Sequence, residues 1–455
     1  MRQRWHNALY GADDDLRFFL QVFLASLIVY ILVFRPLLVL PLAQHDDYHF
    51  FVRGRTGSLF LHPQSLPLFY LGRPVTGTLA SLAFPFIDTP SDLAYLRMIT
   101  IFFASVSTAF LAICLKKTDI GKLPALFASI AIFLLPGAQV FVLLAVFSPL
   151  MAAVFFALLS ATLLQKIKVN DLLRCRLLIK PRTILLIVSA LLSLLVSVHS
   201  YPASTMFFLM PTLVTVLFTC MDKWRETRLI VLRNLIFFGI VLLIYFLAHR
   251  FITIPLLIKN YPEAAHVIGG GTMYQFAVSL DLMNKIHFFL YDLSLKGFNL
   301  WNIYVNLGIA ICILSFIAAG IAVALWKLTR KTAFERRHIS PFLQALIFVV
   351  FLLILSNLPN LSAKGGYSAF RTIFAYMAMI VILLIWSVKS ISNILPEEWR
   401  TNSLRCATGL LMLAGGFFAQ RDILTTAVSE HLELTYLRAV VASEIEMTPP
   451  PRNYP

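Results

Sequence analysis

Apolar runs recur along the whole chain, each about 17 to 25 residues long, the length a helix needs to cross a hydrocarbon core about 30 Å thick. Hydropathy places them near 18–43, 93–115, 123–142, 144–165, 183–199, 205–221, 230–249, 303–326, 341–358, 371–388 and 404–419. No water is present in that core to satisfy free amides and carbonyls, so helices are the only spans such runs permit. The expected fold is an all-α integral membrane protein with about eleven transmembrane helices. Composition agrees, with 59% hydrophobic and 13% charged residues and a mean hydropathy of +0.82. Soluble domains carry about 25% charged residues. The stretch 73–87 is apolar but short, and reads as a re-entrant or interfacial helix.

Lys and Arg set the orientation. With the N-terminus inside, the cytoplasmic segments are 1–17, 116–122, 166–182, 223–233, 327–338 and 389–405, and they hold roughly two-thirds of the 38 Lys and Arg residues. Counting 73–87 as a crossing would break this pattern. The net charge of +16 is therefore a topology signal with some attraction to anionic lipid, and it calls for no nucleic-acid partner. Segment 1–17 pairs Arg2 and Arg4 with Asp13-Asp14-Asp15. The apolar run after it is longer than a signal-peptide core and lacks a cleavage site, so it is expected to act as a signal anchor. Cys114, Cys175, Cys220 and Cys406 fall in or beside cytoplasmic loops and Cys312 in a span, so no disulfide framework is expected.

The opposite loops, 44–92, 250–302 and 359–370, with the tail 420–455, are longer and rich in Asp, His, Arg, Tyr and Asn. Function is expected on that side. Directly after the first span stands Gln44-His45-Asp46-Asp47-Tyr48-His49, followed by Arg53, Arg55 and Leu71-Gly72-Arg73-Pro74. A carboxylate can take the proton of an attacking hydroxyl, and nearby guanidinium groups can neutralise a departing phosphate. The same acidic pair could instead cap a loop helix. His45, His49 and His62 with the two aspartates fit no closed zinc pattern, and no metal is assigned to them. His199, beside Ser200-Tyr201-Pro202 at an outer helix end, is placed to hydrogen-bond a sugar or phosphate, although a structural role is the commoner one. Arg97, near the start of the second span, reads as a snorkelling anchor, with the donor phosphate as its other option. Residues 273–293 place Phe276, Leu280, Met283, Ile286, Phe289 and Leu290 near helical spacing, which predicts an interfacial helix. The preceding Gly269-Gly270-Gly271 lacks the context of a phosphate loop and reads as a hinge.

The inward N-terminus, the acidic pair opening the first external loop, the short basic cytoplasmic loops and the second long external loop together resemble the GT-C superfamily of polyprenyl-phosphate-sugar-dependent glycosyltransferases. The details are most similar to bacterial Gtr-type O-antigen glucosyltransferases. The residues that carry the resemblance are Asp46-Asp47, Leu71-Gly72-Arg73, Ser200-Tyr201-Pro202 and Ser356-Asn357-Leu358-Pro359 leading to Phe370-Arg371-Thr372. The resemblance implies a catalytic domain over 1–419, with interfacial helices in the first and fourth external loops, and an external helix and tail over 420–455. It implies an aspartate base, Asp46 or Asp47, and a donor phosphate held by Arg371 with Lys364 nearby. Arg73, His45, Arg53, Arg55, His199 and Tyr201 complete the expected substrate contacts. No cofactor is implied, with a divalent metal as the lesser alternative. The implied partners are a polyprenyl-phosphate sugar, a glycan acceptor, the bilayer of a bacterial inner membrane, and the flippase and donor synthase of the same pathway. Two other classes remain open: an O-antigen polymerase or ligase, which would depend chiefly on Arg and His, and a lipid-linked-oligosaccharide flippase or transporter, which would be expected to show paired repeats and mid-span charges.

Overall fold

A computed structural model describes residues 2–43, 47, 68–69, 71–167, 181–219, 221–260, 282–330, 339–362 and 368–447. Among these residues the chain is helical with no strand. Helix α1 (Arg2–Val39) shows why. Leu16, Leu20, Leu24, Ile28 and Leu32 lie outward and are 49–61% exposed, while Phe18, Val22, Ser26, Tyr30 and Phe34 are buried. The spacing of four puts each set on one face. An outward stripe of Leu and Ile is matched by lipid rather than water.

Seven helices are long and apolar enough to cross a membrane, or eight if one bent pair counts as a single crossing, among the described residues. The protein is an all-α, multi-pass membrane protein. Helix α2 (Pro74–Ala83) has 10 residues, too few to cross, as hydropathy predicts. Its successor α3 (Leu93–Lys116) packs along α1, and the Tyr30 and Thr108 hydroxyls meet at 2.7 Å between them. At the start of α3, Asp92 accepts from the Thr89 amide at 2.7 Å and from its hydroxyl at 2.9 Å. The Thr89 amide, then the hydroxyl, hold the Asp92 carboxyl below its ordinary range.

The expected span 123–142 is not one helix. It is α4 (Lys122–Ile132) and α5 (Pro136–Leu143), bent by 57°. Pro136 forces Leu135 into an extended conformation (φ −62°, ψ 153°), which ends α4 before it can cross. A 3₁₀ turn, Ala145–Phe147, leads into α6 (Ser148–Gln165). Helix α7 (Pro181–Ser200) packs on α6, with Ser160 donating to Ala190 O at 2.7 Å and Ser197 to Ala153 O at 2.8 Å. Small hydroxyls that bond across helices are the usual adhesive inside a membrane.

The expected span 205–221 is likewise divided into α8 (Pro202–Thr205), a 3₁₀ turn and α9 (Met210–Phe218), nearly all buried. Helix α10 (Trp224–Ala248) continues through a π turn into α11 (Ile254–Asn260). Helices α12 (Leu282–His287) and α13 (Ser294–Phe298) flank a second π turn. The expected helix over 273–293 is thus present from Leu282, and its earlier part lies outside the described residues. Then follow α14 (Leu307–Arg330), α15 (Ile339–Leu355), α16 (Leu358–Ser362), α17 (Phe374–Ser392) and α18 (Glu397–Met447). Helix α17 is the axis of the bundle, 78% buried over its most apolar window, against 17% for peripheral α14. Helix α18 runs 51 residues, so the 404–419 segment and the expected outer helix beginning at 420 are one continuous element.

The two ends of the bundle differ. At one end Lys116 Nζ lies 2.7 Å from both Asp14 and Asp15, and Lys122 Nζ 2.7 Å from Asp14. Lys117, Asp119, Arg233 and Lys389 lie at this basic end. The other end carries Asp47, Arg73 and Arg371.

Candidate functional site

Arg97 is the fifth residue of α3 and is fully buried. A guanidinium at such depth must find acceptors and a countercharge. Its Nη1 donates to Leu37 O at 3.1 Å, and its Nη2 to Leu42 O at 3.1 Å and Leu143 O at 3.3 Å. Asp47 Oδ2, also fully buried, lies 3.6 Å from Nη2. The Val146 amide donates to Asp47 Oδ1 at 2.9 Å. Arg97 is therefore not the snorkelling anchor that its place near a span start suggests. It ties the end of α1, the end of α5 and Asp47 together.

The α5–α6 junction holds the rest of the site. Phe147, next to Val146, carries the Arg371 guanidinium over its ring, with Cζ 4.8 Å from the centroid. Gly137 lets α5 press on the start of α17, since a Cβ there would overlap Phe374 and come within 2.9 Å of Phe370 O. Phe141 meets Tyr201 edge-to-face at 6.1 Å and Phe374 at 6.0 Å. Arg73 Cζ lies 4.4 Å above the Tyr201 ring. Tyr201 is 1% exposed, so its ring serves as a platform for Arg73.

The turn before Arg73 has its own lock. Gly72 has φ +72°, a region that side chains avoid, and a Cβ there would strike the Tyr245 hydroxyl. That hydroxyl donates to Gly72 O at 3.1 Å. Thr76 Oγ1 donates to Ser200 O at 2.7 Å and fastens α2 to the end of α7. His199 meets Tyr245 edge-on at 5.1 Å, and His249 stacks on Tyr245 at 6.0 Å. His199 Nδ1 lies 2.9 Å from Leu195 O; a carbonyl only accepts, so Nδ1 donates in this contact.

Close to Arg371, Lys296 Nζ donates to Ser368 O at 3.0 Å and Ser368 Oγ at 2.6 Å. Asn360 Nδ2 donates to Thr372 O at 3.1 Å, which ties α16 to the same corner.

Of the residues singled out in the sequence, Asp47, Arg73, Arg371, His199 and Tyr201 are joined in this contact network. Asp46, His45, Arg53, Arg55 and Lys364 lie outside the described residues, as do His49 and His62. Lys296, Tyr245 and His249 are additions, and Arg97, weighed in the sequence as an anchor or a donor-phosphate contact, is the buried partner of Asp47. Tyr245 and His249 are one helical turn apart at the C-terminal end of a long apolar span, a signal that could have found them. Lys296 had none. Among the described residues no three His, Cys, Asp or Glu side chains form a group able to hold a metal. Chemically, cations and a carboxylate in a partly desolvated corner can bind a phosphate ester and stabilise charge that develops on it. The sequence matches no known protein-family description, and a search of curated proteins finds no match either.

Proposed function

We propose that this chain is a membrane glycosyltransferase that moves a sugar, glucose as the first candidate, from a polyprenyl-phosphate donor to a hydroxyl of a cell-surface glycan such as lipid-linked O-antigen. The observation that carries this reading is the path of contacts from Asp47, through the Val146 amide and the Phe147 ring, to the Arg371 guanidinium. The carboxylate and the candidate phosphate clamp both contact the short turn Ala145–Phe147, which supports the reading.

In the proposed reaction a carboxylate removes the acceptor hydroxyl proton as that oxygen bonds to the anomeric carbon. The bond from that carbon to the phosphate oxygen breaks on the opposite face, with inversion, and its electron pair leaves on the prenyl phosphate. Arg371 and Arg73 face the resulting charge, and Lys296 holds the Ser368 segment beside Arg371. The acidic pair divides its work. Asp47 is committed to Arg97 and the Val146 amide, so it positions the loop and Asp46 is the base. No cofactor takes part.

The bent α4–α5 pair, the shorter apolar helices Pro202–Phe218 and Ile339–Leu355, and the 404–419 part of α18, counted as crossings, bring the total to the eleven expected from hydropathy. The basic end then faces the cytoplasm and the site faces the periplasm of a bacterial inner membrane.

The test is mass spectrometry of lipid-linked glycans from a host that supplies the donor. One added hexose is expected with the wild-type chain and none with Asp46→Asn. Full activity in both Asp46→Asn and Asp47→Asn would remove the proposed base. The second reading, a polymerase or ligase, draws on the His199, His249 and Arg73 corner; it requires a change in glycan length rather than the addition of one hexose.

A further inference from the structure

The basic end holds a polar cavity, at the opposite end of the bundle from the site above. It has a volume of about 510 Å³ and lies between the last turns of α3, α6 and α9 and the early part of α10. Its most telling group is Arg233. Nη1 donates to Ile167 O at 2.6 Å, while Nε and Nη2 donate to Asn234 Oδ1 at 3.1 and 2.9 Å. Both acceptors are neutral, and no carboxylate pairs with Arg233 among the described residues. Asn234 is itself fully buried and held by its Nδ2 on Thr212 Oγ1 at 2.9 Å, so the guanidinium is fixed in place.

A partly buried cation without a countercharge is costly. A residue that only snorkels would extend into water, but Arg233 is folded inward between α6 and α10. Three of its five N–H groups are used, which leaves two for an incoming anion. Lys117 also lines the cavity, and Lys389 Nζ sits 5.3 Å over the ring of Phe218, another lining residue. Among the described residues the one lining carboxylate, Asp119, is 95% exposed and lies 3.9 Å from Lys389. Ile167, Val214, Phe218 and Ile230 give the cavity an apolar wall. Cations above an apolar wall, at the boundary between core and water, suit a group that is anionic at one end and hydrocarbon at the other.

We propose that this cavity binds a phosphate ester, the headgroup of an anionic phospholipid in the leaflet on the basic side, with Arg233 as its principal contact and Lys389 and Lys117 as secondary ones. The proposal is independent of the glycosyltransferase reading, because the two sites lie at opposite ends of the bundle.

The test is native mass spectrometry of the full-length protein, stripped of lipid in non-ionic detergent and then offered phosphatidylglycerol or phosphatidylcholine. Phosphatidylglycerol is expected to be retained about tenfold more tightly than phosphatidylcholine. That preference should vanish in Arg233→Gln and persist in Arg400→Gln, an exposed residue outside the cavity. A parallel thermal melt with millimolar inorganic phosphate separates the sources. Stabilisation of the wild type but not of Arg233→Gln supports the anion site and makes a soluble phosphate its source, whereas a response to phosphatidylglycerol alone supports the lipid. Equal retention of both lipids by the wild type with no effect of phosphate, or undiminished preference in folded Arg233→Gln, overturns the proposal. If Arg233→Gln does not fold, Lys389→Gln decides: a weakened preference supports the site and an unchanged one refutes it.

Discussion

Asp47 and Arg97 share one buried corner, and their physics separates position from chemistry. Removing either partner strands a buried charge, which costs about 3 to 5 kcal/mol. Asp47→Asn and Arg97→Gln should each lower the denaturation midpoint in detergent by a corresponding amount, and the double substitution should cost less than the sum of the two. Asp46→Asn is expected to leave that midpoint unchanged while transfer falls on the order of 10²- to 10⁴-fold. A stable, inactive Asp47→Asn would reverse the assignment. Arg371→Gln should lower transfer on the order of 10²-fold, read as the rate at saturating donor, because it removes the cation proposed to neutralise the leaving group. Asp92 gives a pH dependence of its own. Its folded-state pKa is depressed by the Thr89 amide and hydroxyl, so its contribution is present at neutral pH and is lost as the pH falls through the lowered value. The melting difference between wild type and Asp92→Asn should therefore shrink on acidification.

Among the elements, α5 is the one on which the site turns. Its register against α17 rests on Gly137, so Gly137→Ala should displace the Phe370 backbone and Arg371, raising the donor KM more than it lowers stability. Gly320 does the same for α14, where a Cβ would strike the backbone and side chain of Ser387. Gly320→Leu should cost about 1 to 3 kcal/mol through overpacking, measured by thermal melting in detergent. The long spans α3, α6, α7, α10, α14 and α17 were legible from hydropathy because each has enough apolar residues to cross unaided. The break between α4 and α5 left only Pro136-Gly137 as its trace, and a window that averages hydropathy reads across it. Arg97 looked like an anchor because sequence gives its position in the span but not the Leu37, Leu42 and Leu143 carbonyls and the Asp47 carboxylate that surround it. The Gly-Arg turn and Arg371 were legible because polar groups are conspicuous beside an apolar run. Their common dependence on Phe141, Phe147 and Tyr201 was not, since an aromatic in a membrane span is unremarkable until its neighbour is known.

Among the described residues the Lys116, Lys122, Asp14 and Asp15 cluster and the polar site occupy opposite ends of the bundle, and this polarity fixes what can be reached from which side. In a cysteine-free background, Thr435→Cys should react with a membrane-impermeant thiol reagent on intact cells, and Thr329→Cys only after permeabilisation. The reverse pattern would invert the orientation. Chemistry, unlike transport, needs no second compartment, and that distinction gives the most direct test. Purified protein in detergent, supplied with a prenyl-phosphate hexose and a lipid-linked glycan acceptor, should yield acceptor heavier by one hexose and free prenyl phosphate in equal amounts, and Asp46→Asn should yield neither. Folded wild-type protein that leaves both substrates unchanged in that single phase, with the acceptor confirmed to be competent, would contradict the account.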